Sequence, residues 1–265
     1  MIHMSSVDKK EIIIPILIII FIIASLIYIN TGKEEIYKIE DRTKNIQEEK
    51  KNDTKMYKTT GWLRVQGTNI DSQVIYYTDE YDGSFINKNY VWNLSDSKKL
   101  ENRTVIIGHN LLNLSATPGV NKKMYTRFDD LMAYIYYDFV KENKYIQYTI
   151  DNKNYLYKIY AVTTNLDYQD KSETISSNLS QKERNEYIKK VKEESIYKLD
   201  VDVNGNDNLI TLVTCTRMYG GSYHSSFVIE GRMLRNGEKV TDYTVVKTDN
   251  YKKIEKLMKG DEQNA

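Results

Sequence analysis

The sequence predicts a mainly β domain with added helices, set behind one N-terminal membrane-spanning helix. Three observations carry this. Ile12 to Ile29 runs 18 residues without a charge. The roughly 200 residues that follow the charged connector hold many short β-branched runs, separated by Gly, Asn and Asp turns. Helical periodicity is confined to a few stretches and no segment repeats, so strands must supply the layers of a barrel or sandwich.

The apolar run spans about 27 Å as a helix, close to a hydrocarbon core of roughly 30 Å. Pro15 falls in its first turn, where a missing N–H costs little. The run is long for a signal peptide and no small-x-small site follows, so an uncleaved anchor over residues 12–29 is expected, with residues 1–11 as a short cytoplasmic end. Lys9 and Lys10 precede it, but Lys33, Lys38, Arg42 and Lys44 follow, so positive charge does not set the orientation. A large domain behind a single anchor is commonly translocated, and a chain with one cysteine does not rely on disulfides. The expectation is a single-pass cell-membrane protein with its domain outside.

Residues 30–58 are dense in charge, with Ile36, Ile39 and Ile46 spaced for a weak amphipathic helix, and read as a stalk. The domain is expected over residues 59–235. Gly61 to Val65 and Ile70 to Tyr77 are strands around a Gly67 turn, and Asp79 to Leu100 is a polar loop with Phe85, Tyr90 and Trp92 as anchors. Arg103 to Ile107 is a strand. Met124 to Asn143 carries a short helix. Tyr145 to Ile150 and Tyr155 to Val162 form a hairpin around Asp151–Asn154. Ser180 to Tyr197 is the clearest helix, with Ser180 and Glu183 fitting a capping box. Leu209 to Cys215 and Ser226 to Leu234 are the last strands, and residues 236–265 are a polar tail, helical near Tyr251 to Met258.

A net charge of +1 gives no electrostatic reason to expect nucleic acid. The 23 tyrosines suit half-buried strands. The Asn204–Asn208 cluster lacks an Asp-x-Asp-x-Asp-Gly loop and reads as a solvated turn, so no metal is expected, and no cofactor either. The chemistry concentrates elsewhere. Cys215, the only cysteine, closes the apolar run Leu209-Ile-Thr-Leu-Val-Thr-Cys215. Thr104-Val-Ile-Ile-Gly108-His109 ends another in histidine. A lone thiol cannot form an internal disulfide. A thiol and an imidazole at strand ends are what a cysteine nucleophile and its proton-transfer partner require, since a free thiol ionises only near pH 8.5.

Thr211-Leu212-Val213-Thr214-Cys215 and Gly108-His109-Asn110 resemble the motifs of the sortases, membrane-anchored cysteine transpeptidases that attach proteins to Gram-positive cell walls. The resemblance covers roughly Gly61 to Leu234, and the Gly61-Trp-Leu-Arg-Val opening and long Ser180 helix look like class B. It implies a closed sortase-type β-barrel, Cys215 as nucleophile and His109 as acid/base. It also implies surface proteins with a C-terminal sorting signal as substrates, and a peptidoglycan-precursor amine or pilin lysine as acceptor. Thr214, Gly220 and Gly221 are expected to line the substrate site, with Leu166 to Asn178 as a further wall. The family's arginine, five residues before the Gly of the last strand, is here Ser226. Arg232 lies further along that strand, toward the wrong end, and is expected at the surface. Arg217, two residues past the thiol, is the expected source of positive charge, with His224 as another candidate donor. Two other readings remain open: a papain-like cell-wall peptidase, disfavoured because His precedes Cys and Cys ends a strand, and a degenerate sortase that binds without catalysis.

Overall fold

The computed structural model describes residue 19 and residues 36–80, 90–94, 99–119, 128–165, 177–220 and 225–260. Contacts divide the chain into two compact units, 1–38 and 39–265. The expected anchor, residues 12–29, lies outside the described residues apart from Ile19. Among the described residues no helix is long and apolar enough to cross a membrane.

In the second unit, helix α1 (Thr43–Glu49) precedes strands β1 (Tyr57–Val65), β2 (Asp71–Tyr77), β3 (Val91–Asn93) and β4 (Arg103–Gly108). A 3-10 segment (Asp129–Ile135) and α2 (Tyr137–Glu142) lead to β5 (Tyr145–Ile150) and β6 (Lys153–Asn165). Then follow α3 (Gln181–Glu194), β7 (Tyr197–Leu199), β8 (Leu209–Thr216), β9 (Ser225–Met233), β10 (Val245–Lys247) and α4 (Asp249–Lys259). Eight strands close a barrel in the order β1-β2-β3-β4-β8-β9-β6-β5, and β10 pairs with β7 in a separate ribbon. Closure, not a sandwich, removes the exposed edges.

Alternation explains the core. Ile106, Leu212 and Ile229 point inward with Leu63, Val74, Ile146 and Ile159, and all are inaccessible to solvent. Val105, Val213 and Val228, at the alternate positions, form a second apolar cluster with Leu94 and Ile107 on the outer face. Further down that face, Arg103 donates to Thr211 Oγ1 (3.1 Å) and to the Tyr187 hydroxyl (2.6 Å), and Thr211 donates to Glu230 (2.9 Å). Tyr187 also donates to Glu230, and the guanidinium lies 3.9 Å over the Tyr187 ring. Burial pushes the Glu230 carboxyl up, opposed by the Arg103 charge and the bonds from Tyr187, Thr211 and Tyr160. This network ties β4, β8, β9 and α3 together.

Several expectations change in detail. The loop expected over residues 79–100 contains β3, too short to show periodicity, which pairs with both β2 and β4. The hairpin turn is tighter than four residues: β6 starts at Lys153, and Asp151 and Asn152 both adopt positive φ (52° and 57°), the geometry of a two-residue turn. The Ser180 capping box is present, but α3 stops at Glu194 and the chain re-enters as β7. Residues 236–260 are not a free tail. Lys158 pairs with Glu238 (2.8 Å) and Tyr145 OH donates to Thr241 O (2.6 Å). Tyr243 OH donates to Lys144 O (2.7 Å), and Val245, Tyr251 and Ile254 are buried. The domain therefore extends past residue 235, because aromatic and β-branched residues hidden among the charges dock on β5, β6 and β7.

Candidate active site

Strands β4 and β8 are parallel neighbours, with Arg103 opposite Leu209 and Ile107 opposite Val213. Carrying that register two residues further sets His109 beside Cys215, where adjacent strands run about 4.8 Å apart. Two bonds show that the chains stay together there. Thr214 Oγ1 donates to Gly108 O (2.8 Å), and Asn110 Nδ2 donates to Cys215 O (3.0 Å). Residues far apart in the chain thus meet at one rim of the barrel.

The loop after His109 is stitched to the one after Cys215. Arg217 N donates to Leu114 O (2.8 Å) and Thr216 Oγ1 to the same carbonyl (3.1 Å). Asn113 in turn donates to Gly119 O and Asp129 O, and Asp129 accepts from Leu111 N (2.8 Å). Gly108 must be glycine for a packing reason: a Cβ there would stand 2.6 Å from Phe128 Cγ and 2.9 Å from Val91 Cγ1. Trp92, on β3 opposite Ile107, packs tilted against the imidazole with ring centroids 5.3 Å apart and an interplanar angle of 52°. In the sequence Trp92 stands out only as a packing anchor; nothing local links it to a histidine on another strand.

Cys215 is exposed and, two residues beyond Val213, shares its face, so it stands on the outer face above the apolar floor of Val105, Val213 and Val228. Although the residue is open to solvent, the walls around its sulfur desolvate a thiolate, and burial pushes the thiol up; the nearby Arg217 charge opposes this. The resting sulfur is therefore mainly S–H at neutral pH, and a proton acceptor beside it has a task.

The remaining expected residues fall as follows. Arg217 is exposed and close enough to act electrostatically on Cys215. Thr214, expected at the substrate, is buried with its hydroxyl on Gly108 O, so its side chain faces the barrel and not a ligand. Gly220 is exposed with φ at 114°, a backbone conformation that favours glycine, and its N–H donates to Arg217 O (3.0 Å). Gly221 and His224 lie outside the described residues, as does most of Leu166 to Asn178. Ser226 stands directly opposite Cys215 on β9. Arg232 pairs with Leu209, at the far end of β8, and is not a surface residue: it is 2% exposed and forms a bidentate ion pair with Glu238. Among the described residues no grouping of His, Cys, Asp and Glu could hold a metal ion.

No family model matches the chain. It is 26% identical over 196 residues to sortase B of Listeria monocytogenes, covering 68% of this chain and 69% of that protein. Among solved structures, Clostridium perfringens sortase B superposes with a TM-score of 0.55 at 22% identity, covering 71% of this chain and 100% of that one. A sortase B complexed with triglycine superposes at 0.57 and 16% identity, covering 80% and 92%. The barrel is the sortase fold. The sequence likeness is to a class B sortase, and sortases are cysteine transpeptidases.

Proposed function

We infer that this protein is a thioester-forming transpeptidase acting on sorting-signal peptides. The observation that carries the reading is the exposed Cys215 thiol lying, like His109, two residues past the last pair of the parallel β4–β8 ladder, with Thr214 and Asn110 bonded across the gap. His109 takes the thiol proton, and Cys215 Sγ attacks a peptide carbonyl carbon. As the tetrahedral adduct collapses, the C–N bond breaks, the leaving amine takes its proton from His109, and a thioester remains. An incoming amine attacks that thioester and restores the thiol. Arg217 supplies positive charge toward the oxyanion, and Gly220, with its positive φ, lets backbone approach the bound peptide.

The sorting signal belongs to surface proteins, and the acceptor is an amine of the peptidoglycan precursor or a pilin lysine. Residues 12–29 anchor the enzyme in a Gram-positive cell membrane with the barrel outside. The triglycine complex of one structural relative supports an amine-bearing acceptor. Ser226 opposite Cys215 favours one other reading, a barrel that binds sorting signals without cleaving them. Mass spectrometry of the full chain with a panel of sorting-motif peptides separates the two. A Cys215 acyl adduct that decays faster with an added amine is expected; binding with no adduct refutes the transpeptidase.

A further inference from the structure

We propose that Asn110 and Thr214 are positioning residues that hold imidazole and thiol together from behind. The ladder between β4 and β8 runs through Ile107 and Val213 and goes no further. The reactive pair lies two residues beyond its last rung, where parallel strands are free to splay. Two side chains cross that gap in opposite directions. From β8, Thr214 Oγ1 reaches Gly108 O (2.8 Å), immediately before His109; from the β4 side, Asn110 Nδ2 reaches Cys215 O (3.0 Å), immediately after it.

The bonds bracket the pair, and each spans the interface the reaction needs kept. Asn110 is 3% exposed and Thr214 is 1% exposed, so both donating side chains are shielded from water. The amide of Asn110 is itself fixed: Nδ2 also donates to Asn113 O (2.9 Å), and Oδ1 accepts from Asn113 N (3.0 Å). Both carbonyls close distant parts of the chain onto each other. The side chains of Asn110 and Thr214 are buried while Cys215 is exposed, and both bonds end on backbone carbonyls, so the clasp touches neither substrate nor reacting atoms. Misplacing reacting groups by about 1 Å costs on the order of a hundredfold in rate.

The proposal rests on the transpeptidase reading, and its test keeps the two apart. The full chain is made as wild type, Asn110→Leu, Thr214→Val and Thr214→Ser, each with and without His109→Ala. Single-turnover acylation by a sorting peptide and the pH profile of Cys215 alkylation by iodoacetamide are measured. Asn110→Leu and Thr214→Val are expected to slow acylation about tenfold to a hundredfold with KM for the peptide little changed. Their alkylation profiles move toward that of His109→Ala, and in the His109→Ala background they add nothing further, because they act through the imidazole. Thr214→Ser keeps the hydroxyl and stays near wild type. Thr214→Val leaves the Asn113 bonds intact and carries the test if Asn110→Leu fails to fold. Alkylation profiles for Thr214→Val that match wild type, or equal damage from Thr214→Ser, overturn the clasp. A wild-type protein that alkylates as expected but forms no thioester sinks the transpeptidase reading and leaves the clasp supported.

Discussion

Gly108→Ala tests whether the rim geometry is set by packing behind the histidine. A Cβ at 108 would meet Phe128 Cγ at 2.6 Å, Phe128 Cδ2 at 2.8 Å and Val91 Cγ1 at 2.9 Å. Carbon contacts are comfortable at about 3.5–4.0 Å, so roughly 1 Å must be found. Phe128 and Val91 are both 0% exposed, and neither can swing into solvent. Overpacking of this kind costs about 1–3 kcal/mol. In a domain of this size that lowers Tm by about 3–10 °C. Because the strain falls one residue before His109, acylation should fall by more than the loss of folded protein explains, about tenfold or beyond. Thermal unfolding by circular dichroism and single-turnover acylation at a temperature where both proteins are folded give the two numbers. Phe128→Leu removes ring atoms from the clash, so the double variant should melt closer to wild type than the two separate losses predict. If Gly108→Ala melts with wild type and acylates at the wild-type rate, the packing account of this glycine is wrong.

Arg217→Ala should raise the pH at which Cys215 alkylates, because it removes the positive charge that opposes burial of the thiol. At the ~7 Å spanned by two strand residues, one charge in water is worth about 0.6 kcal/mol, so alkylation at neutral pH slows about threefold. Glu230→Ala should cost about 3–5 kcal/mol in urea unfolding, since it leaves the fully buried Arg103 without the carboxylate charge that Tyr187 and Thr211 link to it, while Arg103→Met with Glu230→Leu should recover most of that loss. Glu238 is held far below the usual carboxylate range by its bond from Arg232, with Lys158 adding to it. A depressed folded pKa stabilises above the unfolded value and is lost as pH falls through the folded one. Glu238→Gln should therefore weaken the domain at pH 7, with the gap to wild type narrowing as pH drops below about 4.3.

Much of the candidate site was legible because it is local. The β-branched runs ending in His109 and Cys215 announce buried strands, and strand ends are where side chains leave the core. The pairing that joins them was not. Nothing in Arg103–Gly108 names Leu209–Thr216 as its neighbour, since a parallel ladder between such distant segments depends on the whole barrel closing. The hydroxyl of Thr214 escapes sequence reading for a related reason: it precedes the thiol in sequence, but alternation turns it inward onto Gly108 O. Strands β3, β7 and β10 have three residues each, too few for a period to show. The docking of residues 236–260 was masked by charge, because Lys144, Lys158 and Arg232 look solvated in sequence yet are buried against Asp242, Glu238 and the Tyr243 ring.

The position opposite Cys215 makes a sharper demand on the proposed mechanism. Ser226 and Cys215 are cross-strand partners, with Cβ atoms expected about 4.5–5.5 Å apart. A serine there contributes no charge, yet a tetrahedral adduct on Cys215 carries an oxyanion in a site that already resists ionisation. Under the proposed mechanism charge would enter along the chain rather than across the sheet, from Arg217, whose backbone N–H is bonded to Leu114 O and whose charge acts on the thiol. The two routes are exchangeable if charge is what matters. Ser226→Arg placed in the Arg217→Ala protein should restore acylation several-fold over Arg217→Ala alone, whereas Ser226→Gln, long but uncharged, should not. Equal acylation by the arginine and glutamine proteins would mean that positive charge at the rim does not limit the reaction, and Arg217 would lose its part in it.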